Sequence, residues 1–434
     1  MRLKSIELTN FRCFEHLNLD FQPHLNVFVG TNASGKTALL LALRRCLGTF
    51  IGQFSDIDSA EKQTIMHIAP EDVRFSGKNK GFAQTTSFAC VVEDAGNQEY
   101  KWARTKQGRN GRTDSKDTKV VDTWVKKLED KLRHGTGAYD LELPLVAYFS
   151  TDRVSGERKS SKTDKLFSSR MRGYFNALGQ FTNTEYLKEW FKNRQLEKYQ
   201  SGNKRSPALD LMQKVIKQIP GVENIEYIIK PSDDEMESDL YLTFKNEEGE
   251  TEEIGYEYLS DGQKMFVTIL ADLTMRCLLL NPNMGKEANE TSGVVLIDEV
   301  DLHLHPSWQR LVIPTLLKAF PNVQFFVTTH SPQVLSEAPK ESVFILRNGE
   351  VLPSEGIFIE GRDSNSILQD IFGVEKRPKE EQGELDRFYH LLEQKDENAA
   401  LRILKKLELK WGMYDVEIVR ANLYFQDLLD EIHS

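Results

Sequence analysis

The amino-acid sequence predicts an α/β fold with a mixed sheet, a helical insertion and a C-terminal helical tail. Three observations predict it. Short apolar runs of strand-like alternation are followed by stretches with the spacing of amphipathic helices, and this order favours a largely parallel sheet covered by helices. A mostly helical pattern fills much of residues 155–255 and interrupts the alternation. From about Val374 onward the chain is charged and helical, without strand patterns.

The first lobe is predicted to span residues 1–154. Its first 30 residues alternate as two or three strands, the last of which, Leu25–Val29, ends at Gly30. An apolar helix is predicted over Thr37–Leu47 and is expected to stop at Gly48, because glycine commonly ends helices. The buried strand Leu145–Ser150 closes this lobe.

The rest of the chain is predicted as an insert at 155–255, a second lobe at 256–373 and a helical tail at 374–434. The insert should hold helices over Met171–Tyr199 and Ala208–Ile219 and then two strands. The second lobe alternates helices and strands in the order Asp261–Leu280, Val294–Ile297, Ser307–Phe320 and Val323–Thr328.

Composition indicates an ordinary globular protein. The chain has 434 residues, of which 39% are hydrophobic and 28% charged, and it contains no apolar run near the ~20 residues that a membrane span needs. The N-terminus lacks a secretory signal pattern, and the four cysteines are scattered, as in proteins of a reducing compartment. We therefore expect a soluble, cytoplasmic protein that does not associate with membranes.

Net charge gives weak evidence against a protein that simply coats nucleic acid. The formal net charge is −10. Lys101–Lys119 is nevertheless strongly basic, and such a stretch could hold a phosphate backbone or could be a solvated loop.

A phosphate-binding loop is predicted at Gly30–Thr37, which reads GTNASGKT and matches GxxxxGK[ST]. It lies between an apolar strand and a helix, as this motif requires. Glycines let backbone N–H groups surround phosphates, and the helix dipole adds positive potential. Lys36 should reach the β- and γ-phosphates of ATP, and the Thr37 hydroxyl should ligate Mg²⁺.

Two carboxylates follow the apolar strand Val294–Ile297. Asp298 is predicted to hold Mg²⁺ through water, and Glu299 is predicted to polarise the water that attacks the γ-phosphate. A structural role for such a pair is common when it stands alone, but the upstream phosphate-binding loop favours the catalytic interpretation.

Two further motifs complete the set. Ser260 and Gly262 open the helix Asp261–Leu280, and an exposed helix N-terminus of this kind attracts anions, although it could also be an ordinary capped helix. His330 comes directly after the strand Val323–Thr328 and Thr329. In that position it could sense a γ-phosphate or be structural.

In this order, the four motifs resemble those of the ABC-type ATPases of the SMC, RecF and OLD group. Leu8–Phe14 is similar to the N-terminal NFR-x-F strand of that group, and Leu259–Gln263 is similar to its signature motif, with Asp261 in place of the commoner glycine. Asp301 takes the D-loop position, and His330 takes that of the switch histidine.

The resemblance implies a magnesium-dependent ATPase head that works as a homodimer or a higher assembly. Ser260 and Gly262 of one protomer should complete the ATP site at Lys36 of the other. It also implies that nucleotide contacts come from the remaining motif residues, namely Arg12, Gly30, Asn32, Ser34, Gly35 and Asp301. The glutamine of the group's Q-loop cannot be placed, and Asp152 or Arg153 stands in its position.

A narrower resemblance rests on residues 361–434, which look most like the PtuA-type ATPases of Septu antiphage systems, also found attached to retrons. It implies a separate HNH nuclease subunit as partner and, in retron versions, a reverse transcriptase with its RNA–DNA hybrid. The tail at 374–434 could dock that partner or could cap the ATPase. The alternative function is that of a RecF-like DNA-repair ATPase. A minor alternative is a metal or nuclease site at His303 and His305.

Overall fold

The computed structural model describes residues 1–57, 59–76, 81–114, 116–134, 141–151, 170–179, 184–202, 205–231, 236–245, 248–352, 361–373 and 377–433. It divides the chain into two compact units, Met1–Ile367 and Leu368–Ser434. The strands of the first unit are β1 Arg2–Phe11, β2 Phe14–Asp20, β3 Leu25–Val29, β4 Phe75–Ser76, β5 Gly81–Phe82, β6 Thr85–Glu93, β7 Glu99–Gln107, β8 Thr113–Asp114, β9 Leu145–Phe149, β10 Val222–Pro231, β11 Met236–Lys245, β12 Thr251–Gly255, β13 Gly293–Ile297, β14 Val323–Thr328, β15 Val343–Arg347 and β16 Glu350–Leu352.

The helices are α1 Lys36–Ile51, α2 Ser59–Met66, α3 Lys119–His134, α4 Thr184–Gln200, α5 Pro207–Ile216, α6 Asp261–Leu280, α7 Pro306–Ala319, α8 Pro332–Ser336, α9 Ser364–Phe372, α10 Lys379–Glu393, α11 Glu397–Trp411 and α12 Val416–His433. Among the described residues, no helix is long and apolar enough to cross a membrane.

The central sheet has six strands in the order β16-β15-β3-β14-β13-β9. All neighbours pair in parallel except β15 and β16, which form an antiparallel hairpin. The strands β3, β9, β13 and β14 are buried along their whole length, as expected for a parallel sheet covered on both faces. The mixed α/β fold predicted from the sequence is thereby confirmed.

The sheet order places three motif-bearing strands side by side. β14 lies between β3 and β13, although the three are far apart in the sequence. Because parallel strands end at the same edge of a sheet, the segments that follow β3, β13 and β14 converge there.

A second sheet is antiparallel, in the order β2-β1-β6-β7-β8, and a third joins β10, β11 and β12. The buried Gln324 links the first two sheets. Its side-chain amide donates to the Leu3 and Gln22 carbonyls, and its carbonyl accepts the Leu3 N–H at 2.8 Å. A fully satisfied polar side chain of this kind fixes the position of β1 against β14.

The predicted end of the first helix at Gly48 is wrong. α1 continues to Ile51, and Gly48 lies inside it. A Cβ at Gly48 would collide with the Ile65 carbonyl oxygen, so the glycine permits close packing of α2 instead of ending the helix.

The continuous helix predicted over Met171–Tyr199 is also wrong. Met171–Tyr174 forms a 3₁₀ turn, and α4 starts at Thr184. Gly173 lies against the Leu280 side chain, where any Cβ would collide, and the Tyr174 hydroxyl donates to the Pro144 carbonyl at 2.8 Å. These tertiary contacts override the local helical pattern.

The second unit is helical and has its own core, formed by α10, α11 and α12. Leu385, Phe388, Leu404 and Ile418 belong to this core. At its edge, the Arg377 guanidinium lies 3.7 Å from the centroid of the Trp411 ring and pairs with Asp415 at 2.7 Å. The helical tail expected from the sequence is therefore present.

Candidate nucleotide-binding site

The loop between β3 and α1 has a backbone conformation suited to binding an anion. Gly30 and Gly35 have φ of 152° and 111°, values that residues with a side chain rarely adopt. A Cβ at Gly35 would also lie only 2.8 Å from the Cys13 sulfur. The turn after β1 therefore packs directly on the loop, and only glycine fits there.

Two polar side chains of this loop are suited to receive phosphate. The Lys36 ammonium donates to the carbonyls of Gly30 and Thr31, each at 3.0 Å, and has no carboxylate within salt-bridge distance among the described residues. The Ser34 hydroxyl is buried without a hydrogen-bond partner. A buried hydroxyl of this kind is costly unless a ligand satisfies it, so the loop fits the phosphate groups of a nucleotide.

Thr37 and Asp298 come together from opposite sides of β14. The Thr37 Oγ1 donates to the Asp298 Oδ1 at 3.3 Å, across 261 residues of sequence. Both groups are oxygen ligands of the kind that Mg²⁺ prefers. They were predicted from separate motifs, and the structure brings them together.

Thr328, at the end of β14, contacts both predicted acidic residues. Its Oγ1 lies 2.5 Å from the Asp298 Oδ1 and accepts the Glu299 N–H at 2.7 Å. Glu299 has φ of 47°, which is strained for a non-glycine residue. The backbone turn that aims Glu299 away from the strand is thus held by a threonine, a role that sequence reasoning did not assign.

The charged groups at this edge act on one another. Burial lowers the pKa of Lys36, while Asp298, Glu299 and Asp301 partly offset the effect. Burial and the charge of Lys36 lower the pKa of His330, so that its imidazole is held towards the neutral form. The charge of Lys36 thus acts on His330.

Asp301 is positioned by the residue next to Thr328. The Thr329 hydroxyl donates to the Asp301 Oδ1 at 2.6 Å and accepts the Ser331 N–H at 2.9 Å. Thr328 and Thr329 thus connect the segment before His330 to the segment after β13.

The N-terminus of α6 is exposed. Ser260 forms a capping box with Gln263, and both residues face solvent at least in part. Gly262 is instead buried, and a Cβ there would collide with the His303 carbonyl oxygen. The glycine thus has a packing role within its own chain that the sequence interpretation missed.

Arg12 has φ of 50° and directs its guanidinium to the buried Asp72, with Nε 2.8 Å from Oδ1. Asp72 also pairs with Arg45. The neighbouring Cys13 touches the phosphate-binding loop, so Arg12 lies beside that loop while its guanidinium is held by Asp72.

The remaining predicted residues divide into three groups. Asn32 is exposed in the loop. Asp152 and Arg153 lie outside the described residues. His305 caps α7 by accepting the Ser307 N–H, and the described parts of the chain contain no cluster of three or more metal-ligating His, Cys, Asp or Glu side chains.

Fold and site together define the class. A parallel sheet carries a GxxxxGK[ST] loop after β3, an Asp-Glu pair after β13, a histidine after the strand between them and a Ser-capped helix upstream of the pair. This combination of fold and motifs is that of a P-loop nucleotide-binding protein.

Comparisons with known proteins agree with this class. Residues 5–220 match a family described as "AAA domain", and residues 141–336 match one described as "AAA domain, putative AbiEii toxin, Type IV TA system". The retron Ec83 probable ATPase of Escherichia coli is 28% identical over 91% of this chain and 79% of its own length.

Two other matches are shorter or more distant. A Septu protein PtuA of Bacillus thuringiensis is 30% identical over 36% of this chain and 42% of its own length. A crystal structure of an SmcHead bound to the C-winged helix domain of ScpA has 15% identity and a TM-score of 0.48, over 81% of this chain and 98% of the other. The chain is thus similar to a retron probable ATPase and, over a shorter stretch, to a Septu protein PtuA.

Proposed function

We propose that this chain hydrolyses ATP with Mg²⁺ at a site shared by two copies of the chain. The observation that carries the proposal is the convergence of Thr37, Asp298 and Glu299 at one edge of the sheet, beside Lys36. In this arrangement, the Gly30–Thr37 loop binds the phosphates of ATP, Lys36 neutralises the β- and γ-phosphates, and the Ser34 hydroxyl gains the partner that it lacks.

Four residues are assigned to the chemistry at the phosphates. Glu299 accepts a hydrogen bond from the attacking water and orients it. His330, held towards its neutral form, donates to the γ-phosphate and stabilises the charge that develops there. Thr37 and Asp298 would hold a magnesium ion, which would supply charge neutralisation at the phosphates.

The position of Ser260 supports the proposed dimer. The N-terminus of α6 faces solvent and carries the positive end of a 20-residue helix. In a second copy, arranged head to tail, the bound ATP presents the γ-phosphate that this N-terminus is suited to bind. Ser260 then contacts the ATP held at Lys36 of the partner protomer, while Gly262 lets the D-loop segment approach α6.

The biological role is proposed from the relatives. Proteins similar to this chain are a retron probable ATPase and a Septu protein PtuA. We place the chain in an antiphage defence complex, in which its nucleotide state controls an HNH nuclease subunit of the PtuB type. In a retron setting, a reverse transcriptase with its RNA–DNA hybrid joins the complex.

The second unit supplies the proposed docking surface for the nuclease. Large apolar side chains are exposed on α11, α12 and the turn between them. They include Leu409 at 90% on α11 and Tyr414 at 88% in the turn, with Val416, Val419 and Leu423 spaced along one face of α12. Such side chains are costly in water and are typical of protein interfaces.

Two measurements test this function. Purified chain should hydrolyse ATP only with Mg²⁺, and Glu299→Gln should bind ATP yet turn it over at least about a hundredfold more slowly, accumulating as a dimer. Unchanged turnover would remove Glu299 from its assigned role.

Partner binding is tested by coexpression with an HNH nuclease encoded beside this chain. Tyr414→Asp should abolish copurification, whereas Tyr199→Asp, at an exposed tyrosine of α4, should not. Equal recovery of the nuclease with both variants would contradict docking at the second unit.

A further inference from the structure

A second basic cavity lies away from the phosphate-binding loop. It has a volume of about 530 Å³ and is enclosed by the second half of α1, the segment from Thr64 to Glu71 and the hairpin of β7 and β8. The Ile68 N–H donates to the Thr113 hydroxyl at 3.1 Å and closes one wall. Its described lining residues are all outside Gly30–Thr37, so this is a separate cavity.

The cavity is lined by Lys106, a buried cation that is poorly compensated. Lys106 is 6% exposed, donates to the Gly111 carbonyl at 2.7 Å and forms no salt bridge within the described part of the chain. An ammonium group has two further hydrogens to donate. Arg104 lies two residues earlier, on the same face of β7, and is 2% exposed.

Arg104 is the least satisfied of these cations. Its Nε donates to the Thr49 hydroxyl at 3.2 Å, but its Nη1 is buried without a hydrogen-bond partner. Arg104 is not among the lining residues, so its uncompensated charge acts on the cavity as positive potential from behind Lys106.

The excess of positive charge acts on His67, another residue of the lining. Burial lowers the pKa of His67, and the charges of Arg104, Arg45 and Lys106 lower it further. Arg45 is neutralised by Asp72. Among the described lining residues Glu71 is the one carboxylate, and it is exposed.

The rest of the lining indicates the size and character of the ligand. Arg112 stands exposed at the mouth of the cavity, and Ile68, Ala69 and Pro70 form an apolar wall. A cavity of this volume suits a small molecule of nucleotide size, with an anionic end for the cations and a planar or apolar body for the wall.

We propose that this cavity binds a small phosphate ester of nucleotide size, independently of the ATP site. Lys106 pairs with the phosphate group, Arg112 closes over it at the mouth, and the apolar wall contacts the body of the ligand, while Arg104 behind Lys106 adds positive potential. The proposal does not depend on ATP hydrolysis or on dimer formation.

Calorimetric titration of the full chain carrying Lys36→Ala tests it, since that substitution weakens binding at the phosphate-binding loop. The probes are AMP, inorganic phosphate, adenosine and a short single-stranded oligonucleotide. AMP should bind at least about tenfold more tightly than adenosine, and inorganic phosphate should compete with it.

Variants in the same background locate the binding. Lys106→Met keeps the length of the side chain and should weaken AMP binding at least about tenfold, and Arg112→Ala, at the exposed mouth, should weaken it about three- to tenfold without disturbing the fold. Lys101→Met, an exposed lysine of the same strand, should leave binding unchanged.

Three results would overturn the proposal. AMP and phosphate could fail to bind, or they could bind equally well to Arg112→Ala, Lys106→Met and Lys101→Met. Finally, the oligonucleotide could be the only probe that binds, and its binding could require Lys106. That result would assign the cavity to nucleic acid instead.

Discussion

The Thr328 hydroxyl donates to the Asp298 carboxylate, with 2.5 Å between Oγ1 and Oδ1, and the same oxygen accepts the Glu299 N–H at 2.7 Å. One threonine at the end of β14 thus orients the proposed magnesium ligand and the proposed water-activating residue. Its position follows from the sheet order, in which β14 separates β3 from β13.

Thr328→Val should lower ATP turnover by about ten- to a hundredfold, because Asp298 and the turn at Glu299 each lose a hydrogen bond at a buried site. ATP binding should change much less, since the Gly30–Thr37 loop is untouched. Steady-state kinetics with nucleotide-binding measurements would show this difference. Thr328→Ser keeps the hydroxyl and should retain most of the turnover; equal loss in both variants would contradict a positioning role.

Gly262→Ala should destabilise the first unit by about 1–3 kcal/mol, because the added methyl group would collide with the His303 carbonyl oxygen and displace the segment after Asp301. Denaturant unfolding and ATP turnover should both detect the change. Gly383→Ala in α10 is the matched control, since a Cβ there meets nothing within 4 Å and alanine favours a helix. A Gly262→Ala variant as stable as the control would show that the close contact is unimportant.

Asp72→Asn should cost about 3–5 kcal/mol of stability, because it removes the charge that compensates the buried Arg45 and orients Arg12. Nucleotide affinity should fall as well, since the turn of Arg12 and Cys13 packs on the phosphate-binding loop. Glu15→Gln breaks the exposed pair with Arg74 and should cost less than about 1 kcal/mol. Similar losses for the two variants would contradict the importance of the buried network.

Stability should fall as the pH is lowered through about 6.5, the usual pKa of histidine, partly because of His330. The pKa of His330 is lowered in the folded chain, so the unfolded chain binds a proton that the folded chain does not. His330→Gln should therefore lose less stability between about pH 7.5 and pH 5.5 than the unsubstituted chain. Thermal unfolding across this range measures the effect, with the exposed His16→Gln as control. An unchanged pH dependence in His330→Gln would refute the assignment.

Local sequence patterns were sufficient for the elements that carry the motifs. The predicted strand Val323–Thr328 and helix Asp261–Leu280 have the bounds found in the structure, because continuous burial and a strong N-cap leave clear patterns. Gly48 and Gly173 misled prediction because their role is to allow close contact with Ile65 and Leu280, which are distant in sequence.

The residues of the site could be predicted from the sequence, but their arrangement in space could not. Lys36, Asp298 and His330 follow from motifs, but the strand order that joins them depends on long-range pairing. Thr328, the buried Asp72 and the cavity beside Lys106 leave no local signal, since each depends on partners from several strands and helices.

Mixing two inactive variants tests the shared ATP site most directly. Lys36→Ala loses the phosphate-binding lysine, and Ser260→Arg blocks the helix tip. In a head-to-tail pair of the two variants, one site contains both lesions and the other is intact. The mixture should therefore regain up to about a quarter of the unsubstituted ATPase rate, while each variant alone stays inactive. A mixture as inactive as its components would contradict a site built from Lys36 of one copy and Ser260 of another.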